Sequence, residues 1–149
     1  MKKSVLAILS ISFCILACNK NNENVTNISS PGSNESHNMG QNCMNCHTSG
    51  GKGEGTFKAA GTVYNAAKTA TLSSGTVYLY TGPNSTGTLK ATIAIDAKGN
   101  FYTTENIDFS GGLYPSIQGA TTKHHMSTSI TTGQCNSCHN NTTDKLWAQ

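Results

Sequence analysis

The chain has no arginine and one tryptophan, and only 11% of its 149 residues are charged. Without arginine it lacks the planar fork that clamps phosphate or carboxylate bidentately. A formal net charge of +3 offers no basic stripe for tracking a nucleic-acid backbone, so no nucleic-acid partner is expected. Long hydrophobic runs are also missing. A membrane-spanning helix needs about 20 apolar residues. The longest candidate covers residues 5–16 and is already interrupted by Ser10 and Ser12. Acidic residues number only seven, which excludes an acidic, solvating tail. What fills the chain instead is Thr, Ser, Asn and 15 glycines, a composition that suits a β protein with many turns.

The first seventeen residues read as an export signal. Met1, Lys2 and Lys3 form a charged start, and the short apolar stretch follows. The segment ends in Ile15-Leu16-Ala17-Cys18, which resembles the lipobox of bacterial lipoproteins. That resemblance implies cleavage before Cys18 and lipidation of its thiol, with several acyl chains giving firm membrane anchoring. An ordinary secretory signal with Cys18 near its end is the plainer alternative. Losing Lys2 and Lys3 from the +3 total leaves a mature charge of +1. Residues 18–36, polar and containing Pro31-Gly32, are expected to form a flexible tether. Residues 37–149 are expected to form the folded domain, with a cysteine-bearing segment at 37–56, a β region at 57–131 and a second cysteine-bearing segment at 132–149.

The β region alternates in the manner of half-buried strands. Strands are expected at residues 61–64, 76–80, 89–95, 101–103, 114–117 and 122–130. In the third, Leu89, Ala91, Ile93 and Ile95 share one face. Asp96-Ala97-Lys98-Gly99-Asn100 reads as a turn that uses Gly99 for positive φ and makes residues 101–103 the partner strand. Gly61-Thr62-Val63-Tyr64, Gly75-Thr76-Val77-Tyr78-Leu79 and Asp96-Ala97-Lys98-Gly99-Asn100-Phe101 together resemble the carboxypeptidase-regulatory, transthyretin-like sandwich. The resemblance covers about residues 57–130. It implies a mainly β fold, a small Ig/transthyretin-like antiparallel sandwich, and a scaffold rather than an activity.

Two motifs carry the chemistry: Cys43-Met44-Asn45-Cys46-His47 and Cys135-Asn136-Ser137-Cys138-His139. Each is Cys-x-x-Cys-His, the attachment pattern of a c-type haem. Two thiols at this spacing each add to one vinyl group of the same porphyrin, and the next residue offers an imidazole to the iron. Outside the two motifs, the only other cysteines are Cys14 and Cys18. Cys43 and Cys46 would hold one haem with His47 as proximal ligand, and Cys135 and Cys138 the second with His139. One zinc held by the four motif cysteines, or two disulfides, is the competing reading. Neither accounts for a histidine following both cysteine pairs. The two motifs and the lipobox together resemble small multihaem lipoprotein cytochromes in which such motifs flank a β domain.

Candidate distal ligands are His37, His124, His125 and Met126. His37-x-Met39 precedes Gly40-Gln41 and Cys43, and His124-x-Met126 precedes Gly133-Gln134 and Cys135, a faint internal echo. Met44 lies inside its own attachment loop and cannot cross its own haem. In an extended strand His124 and Met126 share a face and His125 takes the other. His37 is favoured for one haem and His124 or His125 for the other; Met126 is the main rival and would raise the potential. Tyr64, Tyr78, Tyr80, Phe101, Tyr102 and Trp147 are aromatic candidates for haem contacts or ordinary core.

The expected function is electron transfer by an exported, lipid-anchored di-haem c-type cytochrome, with other cytochromes as redox partners and the outer membrane as the favoured location. A di-haem peroxidase is the enzymatic alternative. It needs an open distal position and polar groups for developing charge, and the absence of arginine and the surplus of distal ligands count against it. A β-sandwich binding lipoprotein holding zinc or disulfides is the non-redox alternative. If the strands between the motifs are even in number, the two flanks meet at one end. If odd, the haems lie apart and an oligomer would have to bridge them.

Overall fold

The computed structural model describes residues 25–149. The apolar leader, Cys18 and the start of the polar tract lie outside the described residues. Among the described residues no helix is long and apolar enough to cross a membrane.

Among the described residues, eight strands form two packed sheets. In chain order they are β1 (Ala59–Tyr64), β2 (Thr76–Gly82), β3 (Thr86–Ala94), β4 (Asn100–Thr103), β5 (Tyr114–Gln118), β6 (Lys123–His125), β7 (Gly133–Gln134) and β8 (Leu146–Trp147). One sheet runs β4-β1-β7 with β8 also on β1, and the other runs β3-β2-β5-β6. Val63, Val77, Leu79, Ile93, Ile95, Phe101, Leu113 and Ile117 pack between them. The mainly β sandwich is thus as expected. Seven of the strands, β1 to β7, lie between the two cysteine motifs. The odd number was expected to set the flanks apart, yet they meet, because β7 lies parallel beside β1 and Asn136 reaches the Gln41 carbonyl.

The expected region 57–131 understates the sandwich. β7 and β8 pair parallel with β1 at Ala59↔Gly133 and Val63↔Leu146, so the second cysteine segment is built into the sheet on both sides of its motif. β1 is buried along its whole length. A strand in mid-sheet, covered on both faces, carries no polar alternation. Its inner face meets the core, while Ala60 joins Phe57 and Tyr102 in a second cluster under Cys43 and Met44.

Three expectations are corrected. The first concerns residues 25–36, expected as tether. Ile28 bridges Thr103, and Ser29, buried, donates to the Ala94 carbonyl at 2.7 Å. The free backbone edge of β4 recruits this stretch, because a polar segment gains by supplying the missing hydrogen bonds. The second concerns Leu89. Leu79 pairs with Ala91 but Tyr80 pairs with Leu89, so Lys90 is an extra residue on β3. That bulge reverses the pleat, and Leu89 turns outward, 46% exposed. The third concerns residues 100–103, which pair with β1 rather than β3. Asp96 Oδ1 accepts from the amides of Lys98 and Asn100, Gly99 takes φ +86°, and the tight turn carries the chain from one sheet to the other. Of the last expected strand, 122–130, only Lys123–His125 is formed.

Candidate functional site

Each cysteine motif begins as one helical turn. In the first, Cys43–Asn45 forms a 3-10 turn whose Met44 amide is capped by the Asn42 side chain at 3.2 Å. The His47 amide then donates to the Cys43 carbonyl at 3.0 Å. In the second, α1 (Cys135–Cys138) ends with the His139 amide on the Cys135 carbonyl, also at 3.0 Å. Both turns therefore bring two thiols and the following imidazole to one side of the chain.

The two imidazoles are held alike. His47 Nδ1 lies 2.9 Å from the Glu54 carbonyl and His139 Nδ1 lies 2.7 Å from that of Asp144. A carbonyl only accepts, so Nδ1 carries a proton in each ring, and Nε2 is the nitrogen left to offer a lone pair in the neutral tautomer. A bond of this kind fixes the orientation of histidines that bind metals. Beyond this point the sites differ. His47 stacks flat on Phe57 at 4.0 Å and 3°, and Phe57 stacks on Tyr102 at 5.0 Å. Gly53 closes the ring's surroundings, since a Cβ there would come within 2.6 Å of His47 Cγ. His37 stands with its ring centre 6.1 Å from that of His47.

A cavity lies beside each motif. The first, about 710 Å³, is lined by Cys43, Cys46, His47, His37, Glu35 and Tyr102, among others. The second, about 360 Å³, is lined by Cys135, Cys138 and His139 together with His124, His125 and Met126. Volumes of several hundred Å³ are those of cofactor pockets. Each cavity thus unites a complete Cys-x-x-Cys-His set with the distal candidates expected for it.

Within the second cavity the three candidates are not equivalent. His124 sits opposite Ile117 and His125 opposite Ser116, so His124 shares the core face and His125 the outer one. His124 packs against Trp147 at 4.0 Å and contacts the Thr122 hydroxyl through Nε2 at 3.2 Å. His125 is exposed and lies 3.4 Å from the Ser85 hydroxyl. Met126 is tied by its amide to the Pro115 carbonyl. Of the other methionines, Met44 packs into the Phe57 cluster and Met39 is 48% exposed.

All four motif cysteines are free thiols, the first of each pair half-buried and the second exposed. Burial pushes the Cys43 thiol up and drives that of Cys135 up to about 12. Among the described residues no group of three or more His, Cys, Asp or Glu side chains converges to hold a bare metal ion. A haem asks for something else, two separate thioether attachments and an axial imidazole beside a cavity, and the residues present fit it. No protein-family model, curated protein or solved structure matches the chain.

Sequence reasoning missed several contributors. Phe57, the platform under His47, carried no signal beyond its place at the start of the expected β region. The carbonyls of Glu54 and Asp144 carry no residue-type signal at all. Of the aromatic candidates, Tyr102 lines the first cavity, and Phe101 and Trp147 line the second. Tyr78 and Tyr80 lie under the Lys123 ammonium instead, at 4.7 and 5.6 Å. Tyr64 lies under Lys145.

Proposed function

We propose that this protein is an exported, lipid-anchored electron carrier with two covalently attached c-type haems, one at Cys43, Cys46 and His47 and one at Cys135, Cys138 and His139. The observation that carries the reading is the pairing of cavities with motifs. Each cavity has its own thiol pair, its own imidazole held through Nδ1 by a backbone carbonyl, and a further histidine among its lining residues. Bound there, each haem supplies an iron that takes and returns one electron.

The chain's own residues set how that iron behaves. The Glu54 and Asp144 carbonyls hold the protons of His47 and His139 and make both rings stronger donors, which favours the oxidised metal. His37 would be the second histidine to hold the group at the first site. His124 would serve the second, because its place opposite Ile117 puts it on the core face that lines the cavity while His125 takes the outer face. With a second histidine lining each cavity, protein side chains would compete with peroxide for the bound group, and no arginine anywhere in the chain stands ready to stabilise a developing charge. Electron exchange with partner cytochromes is therefore favoured over peroxidase chemistry. Cys18, lipidated, would tie the carrier to the bacterial envelope, the outer membrane being the proposed location.

The test is haem stoichiometry by pyridine haemochrome, on full-length protein exported by a host with c-type maturation. Two c-type haems per chain are expected, with mass spectrometry showing diacylglycerol at Cys18. A colourless protein carrying zinc or disulfides would overturn the reading and leave a β-sandwich binding lipoprotein.

A further inference from the structure

The two cavities share a wall. Asn42, on the first, donates to the Gln134 side chain, on the second, at 3.2 Å. Behind this contact lies a buried polar chain. Asn136, the first residue between Cys135 and Cys138, is 5% exposed. Its Nδ2 donates to the Gln41 carbonyl at 3.0 Å, and its Oδ1 accepts from the Thr62 amide at 3.1 Å. The Thr62 hydroxyl donates to Asn100 Oδ1 at 2.6 Å and accepts from the Gly40 amide at 2.8 Å. Asn100 in turn donates to the His37 carbonyl at 3.2 Å. Asn140, just past His139, donates to the Gly40 carbonyl.

A buried amide that spends both ends of its side chain on another segment fixes that segment's position, because breaking either bond leaves a desolvated polar group. Asn136 therefore pins the second attachment turn to β1 and to the residues leading into the first. The chain through Thr62 and Asn100 extends the same restraint to His37. A spacer residue inside a haem motif has no need of such partners for attachment itself, which uses only the cysteines and histidine.

Resting on the di-haem reading, we propose that the two sites form one coupled redox pair, with Asn136 as the positioning residue that holds them at fixed separation across the shared wall. Reduction at either site adds one electron's charge beside the other. In surroundings less polar than water that charge is felt, and the neighbour becomes harder to reduce. Coupling of this kind is reciprocal and typically amounts to roughly 5- to 150-fold in an equilibrium constant.

The experiment is a spectroelectrochemical titration, with electron paramagnetic resonance of the fully oxidised form, on the full chain carrying two haems. Single-haem chains, Cys43→Ser with Cys46→Ser and Cys135→Ser with Cys138→Ser, supply the uncoupled references. The titration of the intact protein should be broader than the sum of the references, with the second reduction displaced to lower potential, and the resonance lines should show spin interaction. Asn136→Ala should keep two haems yet shrink the displacement and the interaction. Should that variant fail to fold, Asn42→Ala at the exposed rim of the wall should give a smaller loss of the same kind. A titration and spectrum equal to the sum of the references, in a protein with two haems, would overturn the pairing alone. Absence of haem would overturn the reading beneath it as well.

Discussion

In the first cavity the His47 imidazole lies flat on Phe57, has its ring centre 6.1 Å from that of His37, and shares the lining with Glu35, Lys52 and Glu54. In the second, the wall is Phe101, Ile117, Ile130, Leu146 and Trp147, and Lys145 is the one lysine lining it; the adjacent carboxylate, Asp144, stands outside the lining and is paired with Lys68. The proximal halves are nearly copies, down to the Nδ1–carbonyl bond. The distal halves come from unrelated structure, a loop before the sandwich in one case and the edge strand β6 in the other. Local sequence fixes what a short motif can reach by itself. Everything across the cavity depends on which part of the fold happens to pack there, so two motifs of one Cys-x-x-Cys-His pattern acquire different environments.

The sharpest break in this comparison is removal of the distal side chains. His37→Ala should leave the first site five-coordinate, giving a high-spin fraction of about half the total haem absorbance while the haem content stays at two. His124→Ala should do the same at the second site, and His125→Ala should leave the spectrum unchanged. If His124→Ala stays low-spin and Met126→Ala does not, the ligand is the methionine.

Next in size is the order of reduction potentials. An apolar wall disfavours the more highly charged oxidised iron, and nearby carboxylates favour it. The second site should therefore have the higher potential in single-haem chains. Glu35→Gln should raise that of the first site and leave the second unmoved. Equal potentials in the two references would mean that the cavity walls do not set them.

A smaller effect separates the platforms. Phe57 is 5% exposed and lies between His47 and Tyr102. Phe57→Ala should cost about 3 kcal/mol in urea unfolding, the low end for a buried phenylalanine. Trp147, half-buried at the rim of the second cavity, should cost less on truncation to Ala. A reversed order would place the structural weight on the second site.

Much of this was legible in the sequence, and the limits are physical. The cysteines and proximal histidines were readable because their geometry is local, within one helical turn. The strands with clean alternation were readable for the same reason. Leu89 was misplaced because a single bulged residue reverses a face without changing the pattern. Residues 25–36 looked like tether because composition reports what a segment buries, while Ser29 is held by hydrogen bonds to a strand edge more than sixty residues away. β7 and β8 span two residues each, too short for any periodicity. Asn136 stood in plain view inside a motif, but only the fold shows that Gln41 and Thr62 wait on either side of it.

The slightest contrast lies in the thiols and appears only before haem is attached. Burial raises Cys43 and drives Cys135 up to about 12, whereas Cys46 and Cys138 are exposed. A thiol whose folded value lies above its unfolded value binds its proton more tightly in the native state. Its contribution to stability is complete below the unfolded value of 9.0 and is lost as pH climbs from there toward the folded one. At pH 10, one unit above the unfolded value, Cys135 should cost the reduced, unloaded chain at most about 1.4 kcal/mol relative to pH 8. Cys135→Ser should flatten that part of the stability–pH curve, and Cys138→Ser should not. Loaded protein should show no such loss, because a thioether has no proton to give up. Urea unfolding at pH 8 and pH 10, with and without haem, measures all of these. An alkaline loss that survives in Cys135→Ser would assign it to lysines or tyrosines and remove the distinction between the buried and exposed members of each pair.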